Sequence, residues 1–198
     1  ATFSLLLWMA WRATGQPIVM AEARHLRRWV IVGLVVLGVQ VALGGWTSAN
    51  YAAVPCGGGG WTGAVHHYQD YPKCVGQWWP PADFREGFVL WRGIGVDYEG
   101  GVLDGASRIA IQMAHRIMAV LALAYLMWLA VRLFRLPGMR PWGAGLGGLA
   151  LLQVTLGILN VKLTLPLPVA VLHNAGALAL LFVLVTLLAR LKAPEPLA

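Results

Sequence analysis

Charge is what this chain has least of: 12% of its 198 residues are charged, and carboxylates are the scarcer sign, eight Asp and Glu against fifteen Lys and Arg. A soluble domain ordinarily carries about a quarter charged residues, so this composition excludes an ordinary water-soluble globule. Cysteine is nearly absent as well, with only Cys56 and Cys74. Neither has a second cysteine two to four residues away, which argues against a zinc site even though His66 and His67 lie between them.

What fills the space is apolar. Hydrophobic residues make up 59% of the chain, and four uninterrupted stretches, 29–45, 109–131, 142–165 and 169–189, are long enough to cross a bilayer. The sequence therefore predicts an all-α integral membrane protein. A fifth stretch, 1–11, is too short to span. It begins without methionine and in mid-pattern, so residues 1–12 read as the end of a preceding transmembrane helix rather than a signal peptide. The expected organisation is a linker over 13–28, a four-helix half over 29–192 and a tail over 193–198.

Lys and Arg set the orientation, because positive residues near helix ends are retained on the cytoplasmic side. Arg12, Arg24, Arg27, Arg28, Arg132, Arg135, Arg140, Arg190 and Lys192 fall at one set of ends. The loop 46–108 at the other set has only Lys73, Arg85, Arg92 and the boundary Arg108, together with Asp70, Asp83, Glu86, Asp97, Glu99 and Asp104. That loop faces outward, to the periplasm if the protein sits in a bacterial inner membrane. The net charge of +7 is then topological, and its partner is membrane lipid rather than nucleic acid. An outward location is oxidising, so Cys56 and Cys74 are expected to form a disulfide, as a structural staple or as a thiol relay. Trp61, Trp78, Trp79 and Trp91 in the same loop read as surface anchors.

The membrane part contains an internal repeat. VQVALGGWTSAN, residues 39–50, is echoed by LQVTLGILN, residues 152–160, with Gln40 matching Gln153, Leu43 matching Leu156 and Gly44 matching Gly157. In each case the next helix carries a histidine, His115 in the first and His173 in the second. The fold implied is a four-helix transmembrane bundle of two pseudosymmetric hairpins. Pro166 and Pro168 force the second hairpin to turn tightly. His115 lies seven residues past Arg108, roughly 10 Å along the helix, and His173 four past Val169, roughly 6 Å.

A single histidine on an apolar helix is usually a hydrogen-bonded core residue. Two at matched depth on separate helices are what a haem iron needs, and ionisable groups at such depth point to function. Each neutral imidazole would give one nitrogen to iron and donate its other N–H to a nearby acceptor. Arg116 and Lys162 are the cations inside apolar segments, and they are candidates to pair with haem propionates, with snorkelling to the interface the alternative for Lys162. Gln40, Gln153, Asn160 and Asn174 are expected to make interhelical hydrogen bonds. The glycines Gly143, Gly147, Gly157 and Gly176 read as helix-packing positions, or as room for a flat macrocycle. His25, beside Arg24, Arg27 and Arg28, reads as interfacial.

Six ordered pieces carry a resemblance: GGWTSANYAAVPC from Gly44, CVGQWWPPADF from Cys74, YEGGVLD from Tyr98, AHR from Ala114, LGILNV from Leu156 and LPLPVAVLHNA from Leu165. Together they resemble the C-terminal half of the haem A synthase family, the COX15-type cytochrome oxidase assembly enzymes. Members have eight transmembrane helices in two halves and oxidise the C8 methyl of haem o to the formyl of haem a. The resemblance implies that this half holds a haem b through His115 and His173, while the substrate haem o belongs to an N-terminal half. It also implies haem o synthase and oxidase assembly factors as partners, with self-association a further expectation. Gln112 stands where family members commonly carry a histidine. No Asp or Glu lies inside the apolar stretches, so no catalytic residue is assigned in this chain. The reading from histidines and helices alone leaves a second class open, a membrane cytochrome b subunit that transfers electrons without modifying haem. A haem-handling assembly scaffold is a third.

Overall fold

The computed structural model describes residues 2–57, 71–91, 93 and 102–194. His66, His67, Trp61, Asp70, Arg92, Asp97, Glu99 and the end of the tail lie outside the described residues. In chain order the elements are α1 (Thr2–Thr14), β1 (Ile18–Val19), α2 (Ala23–Ala49), α3 (Phe84–Gly87), α4 (Gly105–Phe134), α5 (Arg140–Lys162), α6 (Leu167–Arg190) and β2 (Leu191–Lys192). The helices α2, α4, α5 and α6 are long and apolar enough to span a membrane, giving an all-α membrane bundle. Much of their apolar surface is open, as at Val35, Val120, Leu121 and Leu172, each more than half exposed. Hydrocarbon is the solvent that suits such faces.

The spans are as expected, but their ends differ. α2 starts six residues before the apolar run at Trp29, and the run's charged prelude is its first turns. Arg27 explains the extension. Its guanidinium donates to the carbonyls of Leu188 at 2.6 Å and Leu191 at 3.1 Å, satisfying acceptors that the end of α6 leaves open. The linker is also not wholly irregular, and the four-helix half ends in a strand rather than in α6: Ile18–Val19 pairs in parallel with Leu191–Lys192.

The chain divides into two compact units. The first comprises Ala1–Gly38, Leu121–Val154 and Asn174–Ala198. Its core is largely leucine, with Leu26, Leu129, Leu133, Leu146, Leu180, Leu184 and Leu187 fully buried. Between helices in lipid the gain comes from packing rather than from water expulsion, so small residues at contacts matter. Gly143 is such a contact. A Cβ there would meet Ala130 O at 2.6 Å and Phe134 N at 2.5 Å, so α5 passes directly over α4 backbone. Trp29 and Trp128 meet edge to face at 5.1 Å, and Tyr125 Oη donates to Trp29 O at 2.8 Å.

The second unit comprises Val39–Val120 and Thr155–His173. Here Cys56 and Cys74 form the disulfide, and both are buried beside Val161, with Val54, Tyr71, Ile109 and Met113 packed around them. Trp46 Nε1 donates to Gly87 O at 2.9 Å and Asp83 N–H to Ala106 O at 3.1 Å, which fasten the short α3 to its neighbours. Asp104 caps α4 by accepting from Ser107 N–H at 2.8 Å. Its interaction with Ser107 holds the Asp104 carboxyl below its ordinary range.

The repeat extends to how its helices end. At the end of α2, Ala52 N–H donates to Thr47 O at 2.8 Å and Tyr51 N–H to Ser48 O at 3.3 Å, with Tyr51 at φ 52°. At the end of α5, Leu165 N–H donates to Asn160 O at 2.8 Å and Thr164 N–H to Val161 O at 3.3 Å, with Thr164 at φ 58°. Both are Schellman caps with a side chain where glycine is usual.

Candidate functional site

His115 on α4 and His173 on α6 both belong to the second unit. Each ring rests against a glycine of the preceding helix. A Cβ built on Gly44 would lie 3.2 Å from His115 Cε1, and one built on Gly157 would lie 3.1 Å from His173 Cε1. Both distances are tighter than ordinary van der Waals contact, so a side chain at either position would require the ring to give by a few tenths of an ångström. In the sequence Gly157 reads as a packing residue matched to Gly44, and only the structure shows that both serve the histidines. The repeat is the signal that points to this role.

Gln40 is one turn before Gly44 and reaches the same ring. Its Nε2 lies 3.2 Å from His115 Nδ1 and 3.4 Å from His115 Nε2, and donates to the His115 carbonyl at 3.3 Å. Gln40 Oε1 is buried without a hydrogen-bond partner among the described residues. In the other repeat Gln153 packs over Gly176, whose missing side chain leaves the space the carboxamide fills. Gln112 is buried on α4, Asn160 is buried at the end of α5, and Asn174 is exposed.

Arg116 and Lys162 converge on one side chain that the sequence did not single out. The Arg116 guanidinium lies 5.1 Å from the centre of the Tyr71 ring, and Lys162 Nζ lies 6.0 Å from it. Both are within cation–π range. Arg116 also donates to Pro72 O at 3.3 Å. Its long side chain thus leaves the helix face for the outward segment that the disulfide anchors, a snorkelling geometry. Tyr71 could not be found by periodicity, because it reaches α4 through the Cys56–Cys74 crosslink rather than through any helix register. Trp78, Trp79 and Trp91 are largely exposed, as surface anchors would be.

The second unit thus holds two imidazoles with nitrogen lone pairs and two cations gathered at Tyr71. Among the described residues no three His, Cys, Asp or Glu side chains gather.

The COX15-CtaA family model, described as cytochrome oxidase assembly protein, matches residues 1–185. The chain is 39% identical over 186 residues to the heme A synthase of Shewanella oneidensis, covering 93% of this chain and 53% of that protein. It is 31% identical over 202 residues to the heme A synthase of Caulobacter vibrioides, covering 98% of this chain and 51% of the relative. The chain spans about half the length of the curated relatives it matches. No solved structure matches it. Repeat, spans and family model agree over nearly the whole sequence, and the chain belongs to the COX15-CtaA family of cytochrome oxidase assembly proteins.

Proposed function

We propose that this chain is the haem b-binding C-terminal half of a haem A synthase, a membrane oxidoreductase that oxidises the C8 methyl of haem o to the formyl of haem a. His115 and His173 are the iron ligands in this reading. The observation that carries it is the doubled contact, in which Gly44 and Gly157, equivalent in the repeat, each seat a histidine of the next helix. A packing motif needs small residues, but it does not need an imidazole over each of them.

The residues also fit the group on a second count. A ligating imidazole presents one bare nitrogen to the metal and donates N–H from the other. Turning the Gln40 carboxamide over would bring its buried, unsatisfied Oε1 to His115 Nδ1 and leave the imidazole Nε2 bare, in exchange for the donation to the His115 carbonyl. The two amide orientations differ only in which atom is called oxygen. Arg116 and Lys162 are the cations suited to haem propionates, with Tyr71 holding both near the outer boundary. Held by His115 and His173, a haem would supply one-electron transfer.

No Asp or Glu lies in the four spans, so a proton acceptor for methyl oxidation comes from outside this chain's membrane segments. The reading places loop 46–108 on the periplasmic side and the arginine-rich ends in the cytoplasm. It is tested in the full-length protein coexpressed with a haem o synthase, by extracting and chromatographing the haems. Haem a in the wild type, with the low-spin haem b spectrum lost in His115→Ala and in His173→Ala, is the expected result. A spectrum retained in both variants overturns the ligand assignment, and folded protein that yields no haem a favours an electron-transferring cytochrome b instead.

A further inference from the structure

The first unit holds two cavities that share one residue. A cavity of about 330 Å³ is lined by Glu22, His25, Arg132 and Arg135, with Leu26 and Trp29 as apolar walls. A groove of about 280 Å³ runs along α4 and α5 past Val131, Phe134, Gly143, Gly147 and Gly148, and Arg135 is its sole charged lining residue. One space is charged, the other is apolar, and Arg135 belongs to both.

Their position matches an interface. Trp29 opens the apolar run of α2, and Arg132 and Arg135 follow the last residue of the run in α4. The Arg132 guanidinium stands 5.1 Å from the Trp29 ring and 5.6 Å from the Trp128 ring, so two aromatics hold it in place. A charged pocket that shares Arg135 with an apolar groove, at the edge of the hydrocarbon, fits an amphiphile. Guanidinium groups select phosphate through paired N–H donors, and Glu22 sets one negative charge against the two arginines. That balance suits a phosphodiester with a single charge better than a dianion.

We infer that this unit carries a phospholipid site, with the headgroup phosphodiester between Arg132 and Arg135 and an acyl chain along the Gly143–Gly147–Gly148 groove. Neither the histidine pair nor the haem reading is involved. A Cβ on Gly148 would meet nothing within 4 Å, so the groove there is open and tolerates filling.

The test is native mass spectrometry of the full-length protein in detergent, titrated with phosphatidylglycerol. One lipid held per chain is expected, with affinity reduced about tenfold or more in Arg132→Gln/Arg135→Gln, the usual worth of a charge-assisted phosphate contact. Gly148→Met blocks the groove without touching a charge and is expected to weaken retention as well. Arg28→Gln removes an exposed cation of α2 that lines neither cavity and should leave binding unchanged. Equal loss in Arg28→Gln shows diffuse charge attraction and overturns the site. Undiminished binding in Gly148→Met overturns the groove, whatever becomes of the arginine variant's folding. Displacement by inorganic phosphate at the lipid's own concentration shows a free-anion site and overturns the lipid assignment.

Discussion

Gly157→Ala separates a ligand seat from a packing contact. Alanine would put Cβ 3.1 Å from His173 Cε1, where carbon–carbon contacts settle at roughly 3.5 to 4.0 Å. The imidazole must therefore retreat by a few tenths of an ångström. Metal–ligand distances tolerate only about 0.2 Å, so a ligating ring cannot absorb that retreat, and haem affinity should fall roughly 10- to 100-fold, the usual cost of disturbing a ligand's support. Stability responds differently. Overpacking costs about 1–3 kcal/mol, and replacing a mid-helix glycine returns about 0.8–1 kcal/mol of helix propensity, leaving a net loss of about 2 kcal/mol or less. Gly44→Ala, at 3.2 Å from His115 Cε1, should behave alike. Gly45→Ala is the control, since its Cβ would meet nothing within 4 Å. Haem content by the pyridine haemochrome spectrum and melting temperature in detergent give the two readouts. If Gly157→Ala and Gly44→Ala keep the haem content of Gly45→Ala, the glycines are spacers and do not seat iron ligands.

Three further outcomes follow from the described geometry. Breaking the Cys56–Cys74 link by Cys56→Ser should destabilise the protein by about 3 kcal/mol on the chain-entropy model for a loop of this separation, and melting with and without reductant should reproduce the difference in wild type but not in the variant. Asp104→Ala should lower stability at neutral pH by less than about 1 kcal/mol, because this cap is exposed. The Asp104 carboxyl sits below its ordinary value of 3.8, so its contribution is complete above that value and disappears as pH falls through the lowered one. Wild-type and Asp104→Ala melts should therefore differ at pH 7 and converge in strong acid; a gap that widens on acidification contradicts the sign. Thr164→Gly should stabilise the α5–α6 turn by about 1 kcal/mol, since a β-branched residue at φ 58° carries a penalty glycine lacks, and an unchanged or lower melting temperature counts against the strain.

The spans are legible in the sequence because an apolar run of about twenty residues with no more than one charge matches the thickness of a bilayer and far exceeds what a buried strand or short core helix needs. The histidines are legible because the repeat sets them on equivalent helices. Helix ends are not legible to the residue. The first turns of α2 are charged, and only Arg27 reaching the last carbonyls of α6 shows why they are helical. The β1–β2 pairing joins segments more than 170 positions apart and has no local signature. Arg116 and Lys162 can be named from charge scarcity alone, but their meeting at Tyr71 depends on a crosslinked loop whose path no periodicity describes.

The interval between repeats is constant along the first helix of each hairpin: 40 to 153, 44 to 157, 47 to 160 and 51 to 164 pair the glutamine, the glycine, the cap acceptor and the left-handed residue. The interval between the histidines is different, because the connections differ in length. The glycine–histidine contact is therefore a property of helix pairing and is independent of the outward loop. Where the repeats diverge, one position decides. Three residues after His115 stands Met118, and three after His173 stands Gly176, which makes room for the Gln153 carboxamide. Any side chain at 176 would overlap Gln153 Oε1. Gly176→Ala alone should cost about 2 kcal/mol or less, overpacking of about 1–3 kcal/mol less the helix propensity returned, and adding Gln153→Ala should recover part of that cost, a coupling of at least about 0.5 kcal/mol in a double-mutant cycle followed by thermal melts. Strictly additive costs would mean that Gly176 is required by something other than the glutamine above it.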